Sequence, residues 1–200
     1  MKTNKIEYRS FELTSTISED KVISGLAIPT NSRSALLGDF YEIISPSAVN
    51  DQLILNNDVR LLYDHDPSFG SLGRSKYGVG TLQLSIEDDG LHFECQLPDT
   101  AFGKMVYEGL KRNEIDAVSF GFYVGEDNWE QNLDGTYTRT ILSIDKLVEC
   151  SILDVAPAYS STEVALRSLE EFKQQEEEKK AQILAKLEST QDEINQLCKI

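Results

Sequence analysis

Three features of the sequence predict a mainly β, α+β protein: an antiparallel barrel or sandwich carrying a helix or two, then a helical tail. Residues 5–167 read as short strands punctuated by turns. One stretch, 100–114, interrupts them with helical spacing. From about Ser168 Gly and Pro disappear, while Glu, Lys, Gln and Leu accumulate. The expected organisation is a β domain over 1–167 and a charged helical, coiled-coil-like segment over 168–200.

Taken in order, "KVISGLAIPT" (21–30) is a strand that ends at Pro29, and "DVRLLYDHD" (58–66) is another. "GVGTLQLSIEDDGLHFECQLPD" (78–99) alternates on both sides of Asp89-Gly90, a hairpin signal because Gly accepts positive φ in such turns. Leu82, Leu84 and Ile86 share one strand face, and Leu91, Phe93 and Cys95 share one on the partner. In "TAFGKMVYEGLKRNE" (100–114), Phe102, Met105, Val106 and Leu110 fall on one helical face. Thr100 can cap the start, and Lys111-Arg112 suit the negative end of the helix dipole. Strands return at 115–129 and within 132–153, and "DVAPAYSST" (154–162) reads as a loop. In the tail, Ile183, Leu187, Thr190, Ile194 and Leu197 repeat in 4-3-4-3 steps, a coiled-coil seam, whereas Lys173, Glu176 and Lys180 occupy the equivalent positions upstream.

The chain has 200 residues, 19 Lys+Arg and 34 Asp+Glu, a formal net charge of −15. Following a phosphate backbone needs clustered positive charge, so no nucleic-acid partner is expected. A neutral or basic protein partner suits this charge better. No stretch has the apolar length of a signal peptide core or a membrane span. Cys95, Cys150 and Cys198 are widely spaced and form no CxxC, so neither a zinc site nor a disulfide framework is indicated. The expectation is a soluble protein of a reducing compartment, with no membrane partner.

Chemistry concentrates around "RLLYDHDPSFGSLGRS" (60–75), where His65 stands between Asp64 and Asp66. A metal site built on this trio lacks ligands, since His92 is the one other histidine. On a continuing strand the two aspartates would also point to opposite sides. A hydrolase needs a nucleophile, and Ser119 in "DAVSFGFYV" is a lone hydroxyl in an otherwise apolar strand. Such a serine is often a strand residue bonded to backbone. Gly121, two residues on and on the same face, leaves room for another backbone to approach. A serine–histidine pair needs a third group to orient the imidazole. Candidates are the adjacent Asp64 or Asp66, Glu149 (an isolated acid in "LVECSIL"), and His92, which alternates toward an exposed face.

The ordered run "GLAIPT…FYEIISPSAV…VRLLYDHDPSFGSLGRS…GTLQLSIEDDGLHFECQLPDT…GLKRNEIDAVSFGFYV…LVECSILDVAPAYSSTEVALR" resembles the prohead (capsid maturation) proteases of tailed double-stranded DNA phages, over about residues 20–167. Singly, "DHD" and "SFGF" are common; in this order with "LGR" and "PAY-ST-V-R" they are specific. The resemblance implies a serine endopeptidase on the β-barrel of herpesvirus assembly proteases, with His65 as base and Ser119 as nucleophile. Herpesvirus relatives use a second histidine as the third member. This chain offers Glu149 in that region, and the third role is assigned to it by inference. Arg74 and Arg167 are candidate oxyanion donors or plain surface arginines.

The resemblance further implies action inside the assembling procapsid in the host cytoplasm. Its partners would be the scaffold-like segment of the major capsid protein and further copies of the protease, associated through the barrel or the C-terminal helix. No cofactor is implied. Self-cleavage is expected around 160–180. The rivals are a catalytically silent capsid assembly or scaffold protein of the same fold, a metal-dependent hydrolase built on Asp64, His65 and Asp66, and a plain β-barrel binding module.

Overall fold

A computed structural model describes residues 5–13, 15–154 and 163–197. The chain divides into two compact units, 1–162 and 163–200.

In the first unit the strands are β1 (Glu7–Glu12), β2 (Ser15–Ile17), β3 (Val22–Pro29) and β4 (Phe40–Ile44). Helix α1 (Asp51–Leu55) follows, then β5 (Asp58–Tyr63), β6 (Gly73–Lys76), β7 (Val79–Gly80), β8 (Leu82–Glu87) and β9 (Gly90–Gln96). Helix α2 (Ala101–Lys111) precedes two long strands, β10 (Ala117–Gln131) and β11 (Tyr137–Leu153).

The 78–99 hairpin forms with the expected facing: Leu82 pairs with Cys95, Leu84 with Phe93 and Ile86 with Leu91. Gly90 has φ 147°, and a Cβ there would lie 1.9 Å from the Ile28 carbonyl oxygen, so the turn needs glycine. Thr100 caps α2, its hydroxyl accepting from the Gly103 amide at 3.1 Å. Val106 and Leu110 are buried on the core face of α2, while Met105 is exposed.

Two sheets result. The larger runs β1-β10-β11-β5-β6-β7, with β4 also on β11; the smaller runs β2-β3-β9-β8. Among the described residues this pairing closes no barrel. The strands are mainly antiparallel, as expected, but the larger sheet is mixed, since β11 pairs parallel with two neighbours. β11 is long enough to pair parallel with β4 along its first part and with β5 near its end, while β10 covers its other edge antiparallel. The apolar faces of both sheets and of α2 share one core, which includes Ile23, Phe93, Val106, Phe120, Phe122 and Leu147.

Cys95 and Cys150 are free and buried. Burial pushes their thiols up to about 11 and about 12, which makes them inert packing residues.

The second unit is one helix, α3 (Glu163–Leu197), which begins ahead of the expected Ser168. Ile183, Leu184 and Leu187 are exposed on it. The side chains of Ile194 and Leu197 lie outside the described residues, as does most of the expected loop, 155–162. No described helix is long and apolar enough to cross a membrane.

Candidate active site

β1, β10, β11 and β5 lie side by side and set the site by register. One rung aligns Tyr8, Gly121, Glu149 and Arg60; two rungs along, on the same face, Ser10, Ser119, Ser151 and Leu62 align. Side chains alternate along a strand, so Ser119 and Gly121 share a face with Ser151 and Glu149. Val118, Phe120, Phe122, Cys150 and Ile152 take the opposite, core face. The register shifts between Gly121 and Phe122, because Leu147 rather than Val148 pairs with Phe122. This bulge borders Glu149, and bulges serve to re-aim neighbouring side chains.

β5 ends at Tyr63, short of the strand expected to run through Asp66. Asp64 and His65 both have positive φ, 49° and 60°, and the Asp66 amide donates to the Tyr63 carbonyl at 3.0 Å. This tight turn starts just past the Ile152 rung, where the Asp64 amide donates to the Ile152 carbonyl at 3.0 Å. From there His65 reaches back, and its Nδ1 bonds Glu149 Oε1. His65 and Glu149 therefore meet across the rung that carries Ser119 and Ser151.

Tyr8 closes another side of the imidazole, edge-on with ring centroids 4.7 Å apart. Burial first, then the nearby Glu149 charge, pushes the Tyr8 phenol up. Gly121 is the floor of this stack. A Cβ there would stand 2.8 Å from Tyr8 Cε1 and 3.1 Å from Glu149 Cγ. The space left by the missing side chain is filled by these two side chains, not by another backbone as the sequence suggested.

Ser119 and Ser151 are both 0% exposed, and among the described residues neither hydroxyl has a hydrogen-bond partner. Directly paired positions put their Cβ atoms about 4.5–5.5 Å apart. Buried hydroxyls without partners are few in native proteins and call for an explanation; Ser75 on β6 carries a third one among the described residues. No hydrogen bond joins Ser119 Oγ to His65.

The remaining candidates are placed elsewhere or engaged locally. Asp64 Oδ1 accepts from the Asp154 amide at 3.3 Å, and Asp66 Oδ1 caps the Ser68 amide at 2.8 Å, so the "DHD" trio does not converge. His92 sits on the smaller sheet at the tip of the β8–β9 hairpin, its Nε2 2.7 Å from Asp89 Oδ1 and 3.9 Å from Glu87 Oε2. These three donors lie within 4.8 Å of one another, the one such metal-capable group among the described residues, and two of them are highly exposed. Arg74 forms a two-pronged bond with Asp58, and Arg167 is exposed on α3. Tyr8 and Ser151 were not singled out from the sequence. Ser151 is two residues from Glu149, so strand periodicity alone puts it on the same face; Tyr8 carries no comparable signal.

A family model, described as caudovirus prohead serine protease, matches residues 5–175. The chain belongs to that family. Membership makes it a protease of phage capsid maturation, acting in the assembling procapsid. No curated protein matches it. Among solved structures it is similar to the bacteriophage T4 capsid assembly protease, gp21, with 9% identity, covering 77% of this chain and 100% of that one, at a TM-score of 0.43.

Proposed function

We propose that the chain is a serine endopeptidase in which Ser119 is the nucleophile, His65 the general base and Glu149 the group that orients it. The observation that carries this reading is the bond between His65 Nδ1 and Glu149 Oε1, which leaves Nε2 for the serine. Ser119 Oγ attacks a peptide carbonyl carbon while its proton passes to His65 Nε2. As the carbon–nitrogen bond breaks, Nε2 returns that proton to the departing amine. Water then repeats the cycle on the acyl-enzyme and frees Ser119. Glu149 fixes the tautomer and offsets the charge of the imidazolium.

The proposed substrates are the scaffold-like segment of the major capsid protein and the protease itself, cut near 160–180. The exposed Ile183, Leu184 and Leu187 of α3 support association with another helix, including that of a second copy. The relation to the herpesvirus assembly-protease barrel is likewise proposed, on the motif order rather than on the sheet path.

One observation favours a silent assembly protein instead: the Ser119 hydroxyl is closed to solvent. For catalysis that face must open and Oγ must turn toward Nε2; catalytic hydrogen bonds commonly tighten only when substrate is bound.

The test is co-expression with the cognate capsid protein, comparing wild type with Ser119→Ala and Glu149→Gln by intact mass. Capsid protein shortened by wild type alone, with a much slower Glu149→Gln, is the expected result. Equal cleavage by Ser119→Ala would remove this nucleophile. Intact capsid protein in every arm would leave the assembly role.

A further inference from the structure

Just downstream of His65 the chain builds a feature that the proton transfer does not use. Asp66 caps a 3-10 turn, Pro67–Phe69, and Gly70 closes it at φ 85°, its amide donating to the Pro67 carbonyl at 3.0 Å. The turn holds Phe69 59% exposed. Its ring stacks on Phe102 in the first turn of α2, with centroids 5.4 Å apart and planes 17° apart. Tyr63 meets both rings edge-on, at 6.4 Å and 6.0 Å. Among the described residues, a Cβ added to Gly70 would touch nothing within 4 Å. An aromatic cluster with one ring exposed, on the turn that follows His65, marks a surface that a ligand can cover.

The rim of this platform is acidic. Tyr63 Oη donates to Asp154 Oδ2 at 2.9 Å, and the Asp154 amide donates to Asp64 Oδ1. Burial first, and then the Asp154 charge, hold the Asp64 carboxyl above its ordinary value. Among the described residues no Lys or Arg pairs with Asp64, Asp66 or Asp154. A cation placed there would relieve the repulsion between Asp64 and Asp154. The same rim argues against a second copy as the occupant, since a two-fold contact through Phe69 would press two acidic rims together.

We propose that Tyr63, Phe69 and Phe102, with the Asp64–Asp154 rim, form a substrate subsite beside His65. It takes an extended peptide in which an apolar side chain stacks on Phe69 and Phe102 and a neighbouring basic side chain faces the two aspartates. The subsite rests on the protease reading above, and Phe69 is its specificity-determining residue.

The test digests a proteome-derived peptide library with the full-length protein, wild type beside Phe69→Ser, and aligns the cut sites. In parallel, a fluorophosphonate whose reactive end carries no peptide side chain labels the serine. Wild type is expected to enrich an apolar residue next to Lys or Arg at fixed positions from the cut. Phe69→Ser loses the apolar preference and falls at least tenfold in kcat/KM, mostly through KM, while fluorophosphonate labelling falls far less. An unchanged profile and KM in Phe69→Ser overturn the subsite and leave the protease reading standing. A variant that changes only the sedimentation of the protein, from dimer to monomer, assigns the patch to a second copy instead. Wild type that neither cuts the library nor takes the label removes the protease reading, and the subsite with it.

Discussion

The larger sheet carries two polar clusters, and β1 feeds both. Glu7 and Arg9 point to one face; Tyr8 and Ser10 point to the other. On the first face, Arg9 bonds Glu42 and Glu7, and Arg139 bonds Glu7, Glu42 and Asp127, at distances of 2.6–3.1 Å. Arg139 is 1% exposed, yet its guanidinium is matched by carboxylates and also lies over the Trp129 ring. On the second face, two buried hydroxyls have no partner, His65 is held in a left-handed turn, and Tyr8 and Glu149 crowd a glycine. The first cluster is satisfied and fixes how β1, β4, β10 and β11 fit together. The second keeps unspent hydrogen-bonding capacity where a reaction can use it. On the proposed reading, this contrast separates a structural polar core from a chemical one more sharply than residue type does.

The strongest test of the contrast is Ser119→Ala. It is expected to lower cleavage of capsid protein by roughly four to six orders of magnitude. Stability should hold or rise slightly, because a buried hydroxyl without a partner is removed. Denaturant unfolding beside the cleavage assay checks both halves. A marked loss of stability would make Ser119 a structural residue like those of the first cluster.

Arg139→Ala should do the reverse, leaving Glu7 and Glu42 to Arg9 alone, removing the arginine that Asp127 bonds, and costing about 3–5 kcal/mol of stability. Burial alone would raise the Glu7 carboxyl, but Arg139 and Arg9 outweigh it and hold it below its ordinary value. The stabilisation linked to that lowered value is present above the ordinary glutamate range and disappears as pH falls through the lowered one. Acid titrations of unfolding should therefore show wild type losing more stability than Arg139→Ala across that window.

Gly121→Ala comes third. The added methyl meets Tyr8 and Glu149, so unfolding measurements should show a cost of about 1–3 kcal/mol. Cleavage by the fraction that remains folded should also slow, since both displaced groups touch His65.

The smallest effect belongs to Asp64→Asn. Burial and then Asp154 raise the Asp64 carboxyl, so its ionisation costs stability as pH rises through that raised value. At pH 7 the amide should raise Tm by about 1–3 °C. The difference should vanish below the ordinary aspartate range, where the carboxyl is protonated in both folded and unfolded chains. A calorimetric pH series checks the sign.

The elements that depend on local signals were legible in the sequence. Thr100 capping α2, the Leu82/Cys95 facing of the hairpin and the isolated acid Glu149 all follow from spacing within a few residues. The tight turn at Asp64-His65 was not legible, because alternation through "LLYDHD" continues the strand pattern past Tyr63. Nor were the parallel pairings of β11, since its partners β4 and β5 lie far away in the chain. The ionic cluster escaped notice for the same reason: Glu7, Glu42 and Arg139 meet only through long-range register. Of the candidate site, the setting raised His65 and Ser119 and left the third member open among Asp64, Asp66, Glu149 and His92; the family resemblance supplied the roles of the first two, whereas Tyr8 needed the fold to bring β1 beside β10.

The most direct measurement is to label the full-length protein with a fluorophosphonate and locate the adduct by peptide mass spectrometry. Ser151 faces Ser119 across one rung, with an equally unpartnered hydroxyl, so the position of the adduct decides the chemistry. The account predicts one adduct, on the peptide carrying Ser119, absent from His65→Ala. An adduct on Ser151, or labelling that persists without His65, would contradict it.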